Sequence, residues 1–376
     1  MRIAIDARGI NFYNGTGIGT YTENVLKNLI NIDNTNNYHV YWSGNNYESI
    51  KKENCKIVMT SKKHQRFFED NYFPANISNE NIDIYHMPQN GIGLSEVISC
   101  KKIVTIHDLI PYVMPETVGR GYLLKFLKEM PLIIENSDGI ITVSEFSKRD
   151  ILRFFPIDES RIFVTPLAAD KKYAPIDKNY CRNFLKDVYN LTNPFILYLG
   201  GFSERKNVAS VLTAFSKVYK DLNKNYNLVI VGGYKDASQR LVKLTNELGI
   251  DSHVIFTGFV PEEHLPIFYN GCDTFIYPSF YEGFGLPPLE AMNCGTPVIV
   301  SNLTSIPEVV GDAGILINPY DISEISLAIG NLLSNEKLKT ELSYKGLNRA
   351  KEFSWQNTAQ NTLKAYESIY NLKSPL

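Results

Sequence analysis

Two glutamates, Glu282 and Glu290, stand at either end of Gly283-Phe284-Gly285-Leu286-Pro287-Pro288-Leu289. A carboxylate can accept two hydrogen bonds at once through its two oxygens. The glycines permit a tight turn with open backbone amides, and the prolines suit a first helical turn, where a missing N–H costs nothing. Residues 275–277 read as the end of a buried strand, the helix is expected to run to about Asn293, and residues 298–300 restart a strand after Gly295-Thr296-Pro297. Glu282 is thereby expected on the loop at a strand's carboxyl end and Glu290 in the early turns of the helix. Open α/β sheets bind small molecules there, and helix N-termini favour anions. A capped surface helix would account for Glu290 near a positive dipole end, but not for the glycines and prolines together.

A second pair, Arg205-Lys206, precedes a helical pattern carrying Val208, Val211, Leu212 and Phe215. Cations at a helix N-terminus oppose its dipole, so stability alone does not favour them, whereas a bound diphosphate would be met by both cations and free amides. The alternative is a solvated charged turn. A third candidate, His107-Asp108, follows the apolar run 102–106 and precedes Leu109-Ile110-Pro111, which places a titratable group where a strand gives way to a loop. The remaining histidines, His39, His64, His86, His253 and His264, show no metal-ligand spacing and read as surface or packing residues. There is no Asp-x-Asp motif and no metal site is expected.

These groups are positioned by alternating strand and helix patterns, which predict mostly parallel sheets. The chain opens on the apolar run 2–6, then a loop ending in Gly15-Thr16-Gly17-Ile18-Gly19, then a helix with Tyr21, Val25, Leu26 and Leu29 on one face. Glycines at every second residue are not the G-x-G-x-x-G dinucleotide fingerprint, so a nicotinamide enzyme is disfavoured. Further strand-like runs fall at 38–42, 56–59, 82–86, 103–107, 139–143 and 162–166, with helix expected over 117–136 and from Ser144 through Phe155. Periodicity is lost over 167–177, the expected linker. Beyond it come runs at 195–199, 228–231 and 254–260, a helix over 236–248, and an amphipathic helix over 355–372.

A length of 376 residues exceeds one ordinary core and suits two α/β domains, 1–170 and 171–354, followed by the 355–376 helix. The apolar content of 44% belongs to a soluble globular chain, and 38 basic against 40 acidic residues give no global field for nucleic acid. Five scattered cysteines without a C-x-x-C pair suggest neither a disulfide framework nor zinc, and read as a reducing compartment. With no charged leader or membrane-length apolar run, the expected location is the cytoplasm, with peripheral contact at the inner face of a membrane left open.

The filled spacing from Glu282 to Glu290, followed by Ala291-Met292-x-x-Gly295-x-Pro297-Val298-Ile299, resembles the signature of the retaining glycosyltransferase family 4, in its mannosyltransferase-like branch. The resemblance implies a GT-B architecture: two Rossmann-like domains facing a central cleft, with the donor mainly on the second, the acceptor mainly on the first, and the last helix crossing back to brace the first. It implies that Glu282 lies near the transferred sugar, that Glu290 binds ribose hydroxyls, and that Gly283, Phe284, Gly285 and Leu286 line the donor. It places Phe259 and Val260 at the nucleobase, Gly17 and Gly19 beneath the phosphates, Gly15 and Asp108 toward the acceptor, and His107 against the transferred sugar. The adjacency of Arg205 and Lys206 departs from the family's commoner wider spacing and is similar to a form seen in mannosyltransferase-like members.

The expected reaction is retaining hexosyl transfer, mannosyl among the candidates, from GDP-mannose or a UDP-sugar to a glycan or lipid-linked saccharide, without a cofactor or metal. Arg205, Lys206 and helix amides would take the charge of the leaving diphosphate. The alternatives are a GT-B-shaped sugar-nucleotide epimerase or phosphorylase, and a catalytically silent nucleotide-sugar-binding subunit. Donor, acceptor, linkage and oligomeric state are not readable from the chain.

Overall fold

The computed structural model describes residues 1–233 and 236–372, which divide into two compact units. One joins Met1–Leu167 with the chain from Ser354 onward, and the other is Ala168–Phe353.

The N-terminal unit holds a seven-stranded sheet of β1 (Arg2–Asp6), β2 (Asn37–Trp42), β3 (Cys55–Met59), β4 (Ile84–Met87), β5 (Lys101–Ile106), β6 (Gly139–Thr142) and β7 (Ile162–Val164). Their order is β3-β2-β1-β4-β5-β6-β7, and every pairing is parallel. The second unit holds β8 (Phe195–Leu199), β9 (Asn227–Val231), β10 (Val254–Gly258), β11 (Thr274–Tyr277), β12 (Val298–Ser301) and β13 (Ile315–Ile317). Their order is β10-β9-β8-β11-β12-β13, again all parallel. Strands covered by helices on both faces read as continuous apolar runs, which is why Phe195–Leu199 and Thr274–Tyr277 are buried nearly throughout. In each sheet the winding reverses once, between β1 and β4 and between β8 and β11. The carboxyl ends flanking such a reversal leave a crevice.

Capping fixes where helices begin. Ser144 Oγ accepts from Ser147 N–H at 3.0 Å and Ser354 Oγ from Asn357 N–H at 3.1 Å, starting Glu145–Phe154 and Trp355–Asn371. The same chemistry corrects the glycine loop, since Thr16 is the cap and the helix Gly17–Ile32 already contains Gly17 and Gly19. Gly15, at φ +74°, stays in the loop, whereas a side chain at Gly19 would strike the Tyr13 carbonyl oxygen. The helix expected over 117–136 begins at Arg120, after a separate turn at Pro115–Thr117, and carries Pro131 inside it. The aromatic stretch Phe67–Phe73, for which the pattern gave no element, is helical and includes a π-helical turn at Phe68–Tyr72.

The Trp355–Asn371 helix packs on the N-terminal unit beside Gly17–Ile32. Tyr366 Oη bonds His86 Nδ1 at 2.7 Å, and the fully buried Ile369 fills the space that a side chain at Gly139 would take. Ile369→Ala leaves a cavity against β6 and is expected to lower the unfolding free energy by about 2–5 kcal/mol, measured by urea unfolding.

Candidate active site

At the β8/β11 reversal, two loops bring opposite charges together. After β8 the chain forms a 3₁₀ turn, Glu204–Lys206, and Asn207 then takes a left-handed conformation (φ +57°) that turns directly into the helix Val208–Val218. The Asn207 amide donates to the carbonyl oxygens of Pro278 (3.2 Å) and Pro319 (2.8 Å), tying this turn to the loops beyond β11 and β13. Arg205 and Lys206 therefore both reach the loop that carries Glu282.

Glu282 Oε1 accepts from Arg205 Nη1 at 2.8 Å, Lys206 Nζ at 2.7 Å and Tyr277 Oη at 3.0 Å. Lys206 Nζ also bonds Tyr277 Oη and lies 4.8 Å from the centre of that ring, and Arg205 donates to the Tyr281 carbonyl. All three charged side chains are mostly buried. Burial alone would raise the Glu282 carboxyl, but Lys206 and Arg205 overcome it and hold the group down to about 2. It is therefore an anion at any working pH.

The loop itself is held from β12. Glu282 N–H donates to Thr304 Oγ1 at 3.2 Å, and Ser305 Oγ donates to the carbonyls of Glu282 and Phe284 at 2.9 and 2.8 Å. Gly285 sits at φ +115° with Ile306 against it, a place where a side chain is excluded on both counts. Leu286 then begins the helix Leu286–Asn293, and the Phe284 ring is buried against Phe353 rather than presented to a ligand. Phe259 is 82% exposed just past β10, with Val260 buried beside it.

In the N-terminal unit, His107 lies one residue past β5. Its Nε2–H donates to the Pro88 carbonyl at 2.8 Å, its backbone N–H donates to Asn90 Oδ1 at 2.9 Å, and the Tyr21 ring meets it edge-on with centroids 4.8 Å apart. Burial pushes this imidazole down to about 4, against the bond to Pro88, so it is neutral with its proton on Nε2. Behind it, Tyr21 Oη bonds Thr105 Oγ1 (3.0 Å), which bonds His86 Nε2 (2.8 Å), which continues to Tyr366. Asp108 accepts from Ile110 N–H at 3.1 Å, just ahead of the short helix Ile110–Val113.

Sequence reasoning brought out the charged residues but missed Tyr277, Thr304, Ser305 and Tyr21, and gave Asn207 no role beyond capping the helix. Tyr277 was absorbed into an apolar strand, and Tyr21 into a helix face. Among the described residues, no group of three or more His, Cys, Asp or Glu is gathered to hold a metal, and no helix is long and apolar enough to cross a membrane. All five cysteines are free thiols.

Residues 16–173 match the family described as Glycosyltransferase Family 4, and residues 182–349 the one described as Glycosyl transferases group 1. O-antigen chain mannosyltransferase B of Escherichia coli is 36% identical over 271 residues, covering 72% of this chain and 71% of that protein. The serotype-specific mannosyltransferase WbdA of Escherichia coli is 34% identical over 275 residues, covering 72% of this chain but 34% of that longer protein. Among solved structures, sucrose-phosphate synthase from Thermosynechococcus elongatus shares the fold with a TM-score of 0.77 at 19% identity, covering 98% of this chain and 99% of that one. Anabaena Alr3699/HepE in complex with UDP and glucose does so with a TM-score of 0.78 at 16% identity, covering 98% and 100%.

Glu290 contrasts with Glu282 in its surroundings. Its Oε2 accepts from Tyr269 Oη at 2.9 Å, with Tyr173 and Lys172 near and Glu262 adding repulsion. Burial dominates and pushes this carboxyl up to about 7 from an ordinary 4.5. Between those pH values the folded state holds a proton that the unfolded chain has released, so this group's contribution to stability falls as pH rises across the window and is lowest above 7. Glu290→Gln, which cannot ionise, is expected to raise the thermal unfolding midpoint relative to the native chain more at pH 8 than at pH 4.5.

Proposed function

Starting from a chain that belongs to glycosyltransferase family 4, with two parallel-sheet units of the GT-B class, we propose that this glycosyltransferase moves a hexosyl group, mannosyl from GDP-mannose or another hexosyl from a UDP-sugar, with retention to a saccharide acceptor. The observation that carries the reading is the cluster of Arg205, Lys206 and Glu282 at the β8/β11 reversal.

As the glycosidic bond breaks, negative charge grows on the departing diphosphate and positive charge spreads over the sugar ring. Arg205 and Lys206 are already oriented by Glu282 and Tyr277, so they meet the growing negative charge without reorganising. These two cations do the work that a divalent ion does elsewhere, which makes the reaction independent of metal. Glu282, anionic and anchored on one oxygen, would favour positive charge on the ring. Glu290 would take the ribose diol, Phe259 and Val260 the base, and the backbone of Gly283, Phe284, Gly285 and Leu286 the remainder of the donor.

In the N-terminal unit, His107 has its Nε2 proton committed to Pro88, which leaves Nδ1 as a hydrogen-bond acceptor for a sugar hydroxyl. Gly15 and Asp108 are assigned to the acceptor, and Gly17 and Gly19 to the phosphate side through the first turn of their helix. The relatives named as O-antigen mannosyltransferases support a polysaccharide or lipid-linked saccharide as acceptor. Such an acceptor would bring the enzyme to the cytoplasmic face of a membrane.

Assayed with GDP-mannose and UDP-sugars in excess chelator, the native chain is expected to turn over. Lys206→Ala or Arg205→Ala is expected to lower kcat/KM by about 10²-fold or more, with kcat falling as well as donor KM rising. Turnover that requires added manganese or magnesium, or cation variants with native kinetics, would contradict this reading.

A further inference from the structure

A cavity of about 430 Å³ opens in the N-terminal unit between the helical turns that hold Gln65 and Glu69 and the Arg120–Asn136 helix from Lys125 onward. We propose that this cavity is a saccharide subsite that receives a sugar unit of the acceptor glycan, an inference that rests on the transfer reaction proposed above.

Its size lies within the range of about 300–1,000 Å³ usual for small-molecule sites. Its chemistry is that of a polyol site rather than an ion site. Carboxylates from Glu69, Asp70, Glu96 and Glu129 are set among cations from Arg66 and Lys125 and the amides of Gln65 and Asn136. An anion would meet four carboxylates and a cation the charges of Arg66 and Lys125, whereas a sugar hydroxyl both donates and accepts and is served by each of these groups. Leu94, Leu132 and Ile133 complete the wall with the apolar surface that the C–H face of a pyranose requires.

The polar groups are also set in advance. Glu69 is 8% exposed, and its Oε1 accepts from Arg8 Nη2 at 2.9 Å and Gln65 Nε2 at 2.8 Å, so the carboxylate is fixed while Oε2 lies outside both bonds. Glu129 Oε2 accepts from Gly93 N–H at 3.2 Å, and Lys125 Nζ lies 3.8 Å from Glu129 Oε1. Arg8 in turn forks onto Asp6 with Nε at 2.8 Å and Nη2 at 2.7 Å. Asp6 is the last residue of β1, so the cavity wall is braced against the β1/β4 reversal of this unit. A carboxylate buried and oriented in this way loses little freedom when a hydroxyl pairs with it.

The test is saturation-transfer NMR of the full chain with an α-linked mannose trisaccharide and no nucleotide, repeated on Lys125→Ala, Glu129→Gln and the exposed surface variant Lys243→Ala. The native chain is expected to saturate the trisaccharide. Each of the first two variants is expected to weaken binding by about fivefold, the equivalent of one lost hydrogen bond, and Lys243→Ala to leave it unchanged. Lys125 is half-exposed, so its loss tests the site without endangering the fold. No saturation of the trisaccharide, or equal binding by the native chain and the Lys125 and Glu129 variants, would overturn the subsite. Binding that follows the expected pattern in a chain that transfers no sugar would leave the subsite standing and count against the transfer reading instead.

Discussion

One carboxylate oxygen organises the C-terminal unit. Glu282 Oε1 receives a guanidinium, an ammonium and a phenol within 3.0 Å, an arrangement whose desolvation cost is offset only when every partner is in place. Several otherwise unconnected features follow from that requirement. Arg205 and Lys206 must be adjacent on a tight 3₁₀ turn, Asn207 must turn left-handed so that the helix can start at Val208, and Gly285 must let the loop fold back over Ile306. Asn207 also anchors the loops carrying Pro278 and Pro319, which makes it a structural clamp rather than a simple helix cap. A cluster built to this tolerance gains a chemical property along with its cost, because its cations are fixed in place by the fold itself.

Around His107 the electrostatic strategy is the opposite. His107 is neutral, held by one backbone carbonyl and one aromatic edge, and the groups behind it are uncharged or kept so by burial. The chain through Tyr21, Thr105 and His86 ends on Tyr366 of the C-terminal helix, so the final turns of the sequence support a residue more than two hundred positions earlier. Both units place these groups at the carboxyl ends of parallel strands, the charged cluster at the β8/β11 reversal and His107 past β5, one strand beyond the β1/β4 reversal.

Much of this was legible in the chain. The apolar runs marked most of the strands because a parallel sheet covered on both faces leaves no alternation to confuse the reading. The glycine and proline pattern between Glu282 and Glu290 marked a loop followed by a helix with Pro287 and Pro288 in its first turn, which the structure starts at Leu286. What the sequence could not show was that Arg205 and Lys206 end on Glu282, since that contact spans over seventy residues and depends on the order β8-β11 in the sheet. Gly17 and Gly19 misled through their weak helix propensity, although Thr16 ahead of them was a sound capping signal that the helix obeys. Phe67–Phe73 gave no element because its aromatics recur without a clear helical or strand period, and the helical turns there are set by packing on Tyr41 and Tyr85.

The central claim is that Lys206 and Glu282 act as one unit on the charge that develops during transfer. A double-mutant cycle on kcat/KM, comparing Lys206→Met, Glu282→Gln and the pair in the same donor assay, tests it most directly. The cluster predicts a coupling of about 1–3 kcal/mol, with the double variant losing markedly less than the two single losses added together. Losses that add within about 0.3–0.5 kcal/mol would mean that the two residues act independently, and would contradict the account.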